Sequence, residues 1–250
     1  MKKLLQWCVI LLSFILNGVL MTLALSTEET PPRLIYSRQS FLRVYDLQTG
    51  LDQPLNSRVQ SAQSPDGRFV ASWLNLRRDH LHELGVLELP GGQRRVLGEF
   101  PVILPSVSWS PDSRQLVFSA VPAEKTNPRM SDNELYTIDI VDGTVWRLTD
   151  NHYRDDSPDW SPDGRQIVFT SAEDGYNRLH ILNLDTGERH LLTDKAFGYT
   201  PRWSPDGSMI AFMSNHESIN SEIYILDVNT TQRWRVTTAS THDEFPAWIQ

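Results

Sequence analysis

Beyond its N-terminus this chain has no thiol. Its single cysteine, Cys8, lies inside an apolar run, so disulfides, thiolate zinc sites and cysteine nucleophiles are excluded downstream. Cations are scarce as well: 23 Lys and Arg stand against 31 Asp and Glu in 250 residues, a formal net charge of −8. That balance disfavours general nucleic-acid binding, which takes a cation for each phosphate contacted. It equally disfavours adhesion to an anionic membrane surface. Enzyme signatures are missing: there is no Gly-x-Ser-x-Gly elbow, no His-Glu-x-x-His and no phosphate-cradling glycine loop. No catalytic residue, metal or cofactor is expected. His80 and His82, two apart, read as ordinary surface residues.

The chain has one long apolar run. Met1-Lys2-Lys3 precede residues 4–25, interrupted by Gln6, Ser13, Asn17 and Thr22. At about 22 residues the run could span a bilayer, while Ala24-Leu25-Ser26 offers small residues for cleavage. Residues 1–26 are therefore expected to be a signal peptide or an N-terminal membrane anchor, and 27–32 a linker. With the lysines held on the cytoplasmic side, the remainder is exported. It would be periplasmic or extracytoplasmic.

What is abundant is repetition. Trp109-Ser110-Pro111-Asp112-Ser113, Trp160-Ser161-Pro162-Asp163-Gly164 and Trp203-Ser204-Pro205-Asp206-Gly207 share one pattern, and Gln63-Ser64-Pro65-Asp66-Gly67 follows it with Gln in place of Trp. Ser64, Ser110, Ser161 and Ser204 are 46, 51 and 43 residues apart. Ser-Pro-Asp-Gly is the chemistry of a tight turn: a hydroxyl at its start, a φ-locked proline, then Asp and Gly. Alternating strands follow, as in Glu134-Leu135-Tyr136-Thr137-Ile138 and Glu222-Ile223-Tyr224-Ile225-Leu226, then a second turn and a strand ending in Thr149, Thr193 or Thr237. Four antiparallel strands per repeat of this length make one propeller blade.

The two ends complement each other. Leu34 to Ser37 and Leu42 to Gly50 read as second and third blade strands, whereas Phe245 to Ile249 reads as a first strand. The expectation is an all-β propeller over 33–250 with five four-stranded antiparallel blades, closed by pairing of N- and C-terminal strands. Trp109, Trp160, Trp203 and Trp248 hold one position per repeat and are expected to pack between blades.

These motifs resemble the TolB-like family of WD-related propellers, over roughly residues 33–250. The resemblance implies a propeller fold and says less about activity, since such folds host many functions. TolB itself carries an α/β domain before a six-bladed propeller, whereas here residues 27–32 are expected to leave no room for that domain and five blades are expected.

One end of the propeller is built of turns that backbone geometry dictates. The other carries the irregular sequence, including the longest loop, 121–133. Around the channel mouth on that loop face stand His152, Arg154, Asp155, Asp156, Tyr199, His242, Asp243 and Glu244, the expected binding residues. The reading is an extracytoplasmic binding module, expected to be monomeric, that takes a protein or peptide partner through this face. Acidic loops would favour a basic partner. The alternatives are a lyase or glycan hydrolase with its site at the channel mouth, or the sensory ectodomain of a membrane-anchored protein.

Overall fold

The computed structural model describes residues 11–16, 19–24, 33–38, 41–46, 52–55, 62–75, 81–89, 94–102, 106–125, 129–193, 198–217, 219–238 and 242–249. The expected 27–32 linker and part of the loops, including His80, lie outside them. β1 (Leu11–Leu16) and β2 (Val19–Ala24) pair antiparallel. No helix among the described residues is long and apolar enough to cross a membrane.

The remaining strands form five four-stranded antiparallel sheets. Blade I joins β3 (Arg33–Arg38), β4 (Phe41–Asp46) and β5 (Asp52–Leu55) to the final strand, β22 (Asp243–Ile249). Blade II is β6 (Ala62–Gln63), β7 (Phe69–Asn75), β8 (Leu81–Glu88) and β9 (Arg94–Pro101). Blade III is β10 (Val107–Trp109), β11 (Gln115–Ala120), β12 (Glu134–Asp139) and β13 (Val145–Arg147). Blade IV is β14 (Asp155–Trp160), β15 (Gln166–Ser171), β16 (Arg178–Asn183) and β17 (Arg189–Leu191). Blade V is β18 (Tyr199–Trp203), β19 (Met209–Ser214), β20 (Glu222–Asp227) and β21 (Arg233–Arg235). The expected closure is present: Trp248 pairs with Leu34 and Asp243 with Arg38.

The repeated turn folds as its residues require. In blade IV, Ser161 Oγ donates to Asp163 Oδ1 at 2.6 Å and accepts from Gln166 N at 2.9 Å, while Arg165 N donates to Asp163 Oδ1 at 3.1 Å. The fourth position is left-handed (Gly67 φ 73°, Gly164 φ 77°, Gly207 φ 72°), and Ser113 adopts the same conformation at φ 60°. A non-glycine residue pays for that geometry.

Neighbouring blades bury both faces of blades III to V, so their middle strands read as nearly continuous apolar runs. Leu116, Phe118 and Ile138 pack towards blade II against Ala71, Leu84 and Val86. Val117 and Leu135 point the other way, onto Ile167 and Phe169 of blade IV. Ile210 and Phe212 of blade V lie against Val168, Leu179 and Ile181. β10 touches β6 and β14, and β18 touches β14 and β22. Only the innermost strands of a ring approach one another in that way, so the first strands line the axis.

Trp109, Trp160 and Trp203 are buried at 6%, 9% and 7% exposure, and Trp248 is half-buried. Two of these indoles reach across a blade boundary, Trp109 Nε1 to the Ala62 carbonyl at 2.9 Å and Trp248 Nε1 to that of Arg202 at 3.0 Å. Asp159 bridges three inner strands: Ser108 Oγ donates to its Oδ1 and Trp203 N to its Oδ2, both at 2.8 Å. Burial pushes its pKa up, and Arg202 opposes that shift.

Candidate functional site

The two ends of the propeller use carboxylates in opposite ways. On the turn end Asp163 and Asp206 are exposed. The Ser161 hydroxyl and the Arg165 amide hold Asp163 below the ordinary carboxylate range, and the Ser204 hydroxyl and Ser208 amide do the same for Asp206. These groups serve their own hairpins.

On the loop face the expectation of solvated acidic loops is corrected. Asp155 and Asp156 open strand β14 and Asp243 and Glu244 open β22, rather than lying in loops. Asp155 and Asp243 are fully buried, Asp156 is 4% exposed and Glu244 is half-buried. The inner strands of blades IV and I begin against the end of the preceding blade's second connection, with Asp155 N donating to the Asn133 carbonyl at 2.9 Å and Asp243 N to that of Ser221 at 2.8 Å. That backbone contact draws the side chains beneath the surface.

The buried acids are tied into the frame. Asn151 Nδ2 donates to Asp155 Oδ2 at 2.7 Å, and Asn151 N donates to Glu134 Oε1 at 2.9 Å. Arg189 Nη1 lies 3.6 Å from Asp155 Oδ2, and Arg154 Nε lies 2.6 Å from Asp156 Oδ2. Arg154 Nη2 donates at 2.5 Å to Asn177 Oδ1, and Asn177 Nδ2 donates at 2.9 Å to the Tyr199 hydroxyl. Two of the expected site residues, Arg154 and Tyr199, are thus joined through a third that was not singled out. Burial pushes the pKa of Asp155, Asp156 and Glu134 upward, opposed respectively by the Ser171 hydroxyl, Arg154 and the Thr149 hydroxyl.

A second clasp repeats in blades III and V. Thr149 Oγ1 donates to Glu134 Oε2 and Thr237 Oγ1 to Glu222 Oε2, the latter at 2.7 Å. Arg147 lies 3.3 Å from Glu134 and Arg235 2.7 Å from Glu222. His180 is buried in the corresponding region of blade IV. Its Nδ1 accepts from Arg189 Nε at 3.0 Å, and burial, reinforced by Arg189 and Arg178, pulls its pKa down to about 3. His82 is buried too, edge-on to Trp73 at 6.4 Å, which corrects its reading as a surface residue.

What this end exposes is different in kind. His152 and His242 are exposed, and His242 Nδ1 accepts from Ser221 N at 3.0 Å. Around them stand Tyr153 (36% exposed), Tyr176 (53%), Ile219 (97%) and Phe245 (60%), each from a separate segment. Phe245 sits in a bulge of β22 with φ 53°, and Ser157 and Thr200 hold the same left-handed position in β14 and β18 at φ 53° and 49°. Non-glycine residues bear a cost there, and β-bulges of this kind re-aim side chains. Pro158, Pro201 and Pro246, all buried, follow the bulges and precede the Trp by two residues. That recurring Pro-x-Trp is the sequence signal that would have located them. Among the described residues no group of three or more His, Cys, Asp or Glu is placed to hold a metal.

Five four-stranded blades, four of them on tight Ser-Pro-Asp turns, around an axis lined by first strands, define a β-propeller of the repeat-built kind. The family model for the TolB beta propeller domain matches residues 56–249, and the chain belongs to that family. An uncharacterized protein of Agrobacterium fabrum (strain C58) is 33% identical over 139 residues, 54% of this chain and 43% of the relative. The Tol-Pal system protein TolB of Francisella tularensis subsp. mediasiatica is 30% identical over 116 residues, 44% of this chain and 24% of that protein. The chain thus covers less than half the length of either relative. The crystal structure of TolB from Acinetobacter baumannii superposes with a TM-score of 0.65 at 19% identity, covering 88% of this chain and 67% of that one, a likeness of fold.

Proposed function

We propose that this protein is an extracytoplasmic propeller that binds a protein or peptide partner on its loop face. The observation that carries the reading is the exposure of Tyr153, Tyr176, Ile219 and Phe245 on one end of the ring, above a layer of buried, arginine-paired acids. Exposed apolar side chains gathered on one face mark interaction sites, and aromatic residues anchor interfaces. The buried ion pairs fix the loops that present them, which lowers the ordering cost of binding.

This alters the expected partner. Asp155, Asp156 and Asp243 lie beneath the surface and cannot draw a basic segment by direct contact. The segment that fits is apolar and aromatic, with basic residues secondary and addressed to the half-buried Glu244. Export through residues 1–26, as signal peptide or anchor, and a monomeric state belong to the same proposal.

A photo-crosslinking side chain at 153 or 176, compared with one at Thr186 or Thr230 on the turn end, tests it in envelope extracts. Adducts with one partner from 153 and 176 support the reading. Adducts from 186 and 230 alone overturn it.

A further inference from the structure

The turn end is uniform in blades III to V and breaks its pattern in blade II. In the later blades the third strand closes on Asp139, Asn183 or Asp227, whose side-chain oxygen accepts the amide two residues on, at 2.7, 2.9 and 3.0 Å. Blade II has Glu88 there, paired instead with Arg68 at 3.2 Å. The second strand opens with Gln115, Gln166 or Met209 in the later blades but with Phe69 in blade II. On the outer strand, the register position of Trp146, His190 and Trp234 is taken by Arg95. Turn geometry requires none of these three changes, and of the three only Phe69 also packs against the core. They also fall together.

They frame a cleft of about 620 Å³ lined by Arg68, Phe69, Val86, Glu88, Arg94 and Arg95, a volume typical of small-ligand sites. Its floor is apolar, from Val86 and from the Phe69 ring stacked on Trp109 at 6.1 Å. Its rim is cationic. Arg94 is engaged by Glu83, so its charge is answered. Arg95 donates to the Ile140 carbonyl, a neutral acceptor that leaves its charge uncompensated by that contact. Arg68 lies over the Phe69 ring at 5.2 Å, and its pairing with Glu88 is solvent-exposed on both sides. A surface pair of that kind is weak and readily exchanged.

We propose that this cleft binds a small organic anion, a phosphate or carboxylate joined to a flat apolar body. The anionic group takes the forks of Arg95 and Arg68, each able to bond two of its oxygens at once, and the body rests on Phe69 and Val86. The site lies at the opposite end of the molecule from the loop face. A ligand here would therefore be independent of the partner proposed above.

Titration of the full chain with phenyl phosphate, by calorimetry and by amide chemical shifts, tests the assignment. Saturable binding is expected, with shifts centred on Phe69, Glu88 and Arg95 and at least tenfold tighter than inorganic phosphate. Arg95→Gln and Phe69→Gln should each weaken it tenfold or more. Arg165→Gln, on the equivalent turn of blade IV, should leave it unchanged. Arg95→Lys, which keeps the charge and loses the fork, should fall between. Shifts in the wild-type chain locate the site even where a variant melts early. The proposal is overturned by no saturable binding up to about 10 mM phenyl phosphate, tenfold beyond a millimolar Kd, or by shifts centred on another blade. Equal losses in Arg95→Gln and Arg165→Gln would overturn it as well.

Discussion

The turn end and the loop face are made from the same residue type and put it to opposite uses. Asp163 and Asp206 stand in solvent and fold one hairpin each. Asp155, Asp156 and Asp159 are drawn inward; Asp155 and Asp159 meet residues of other segments, and Asp156 meets Arg154, which itself holds Asn177. The pKa directions follow: hydrogen bonds depress the first pair, and burial raises the second group. A carboxylate repeated with a turn motif is local chemistry. One standing on an inner strand is part of the assembly of blades.

The sharpest way to break this contrast is to remove an inner strand. Deleting residues 243–250 strips β22 from blade I and unpairs β3, so cooperative melting should fall by tens of degrees or vanish; an unchanged melting curve would refute the closure. Next in size, Asp156→Ala leaves the Arg154 guanidinium without its buried partner and should cost about 3–5 kcal/mol in denaturant unfolding. Trp109→Ala should cost a similar ~3–5 kcal/mol through the cavity it leaves, whereas Trp234→Ala, on the exposed outer strand, should stay within about 0.5 kcal/mol. Equal costs for the two tryptophans would mean that the blade interfaces do not carry the stability.

Acid separates the two ends further. His180 is neutral in the fold down to about 3, against an ordinary 6.5. A depressed folded pKa gives stability that is complete above 6.5 and declines as pH falls towards 3. His180→Gln should flatten that slope, read as melting temperature against pH. The turn aspartates, also depressed, keep their contribution above the ordinary 3.8 and lose it as pH drops through their lower values. Asp155 and Asp156, raised, contribute most when protonated and lose that contribution as pH climbs through their folded values. Hydrogen exchange near pH 3 should therefore open the Arg165 and Ser208 amides sooner than those of the loop face. The smallest expected effect is Asp163→Ala, which removes one turn's hydrogen bonds for about 1 kcal/mol.

The blades were legible because each of their rules is local. Ser-Pro-Asp-Gly states its turn, alternation states its strands, and the fragments at 33–50 and 245–249 state their own pairing. The site was legible only in part. Arg154, Asp156 and Tyr199 stand together in the chain order of the loops, but nothing along the sequence says that Asn177 joins them or that Asp155 and Asp243 sink below the surface. Burial there depends on inter-blade backbone contacts such as Asp155 to Asn133. One signal was available: Glu134, Arg147 and Thr149 recur with identical spacing as Glu222, Arg235 and Thr237, and that recurrence marks the clasps.

The pairing of β22 with β3 also sets an order of assembly. Blades II to V each arise from consecutive strands and can form as the chain lengthens. Blade I must wait until Asp243–Ile249 has been made and has returned to Arg33–Arg38, a contact of very long sequence separation and correspondingly slow closure. During that interval the inner edge of β3 offers unpaired amides and carbonyls to any strand that arrives. The strand best matched to it is β22 of another copy, so crowded, newly made chains are exposed to swapped dimers at this one seam.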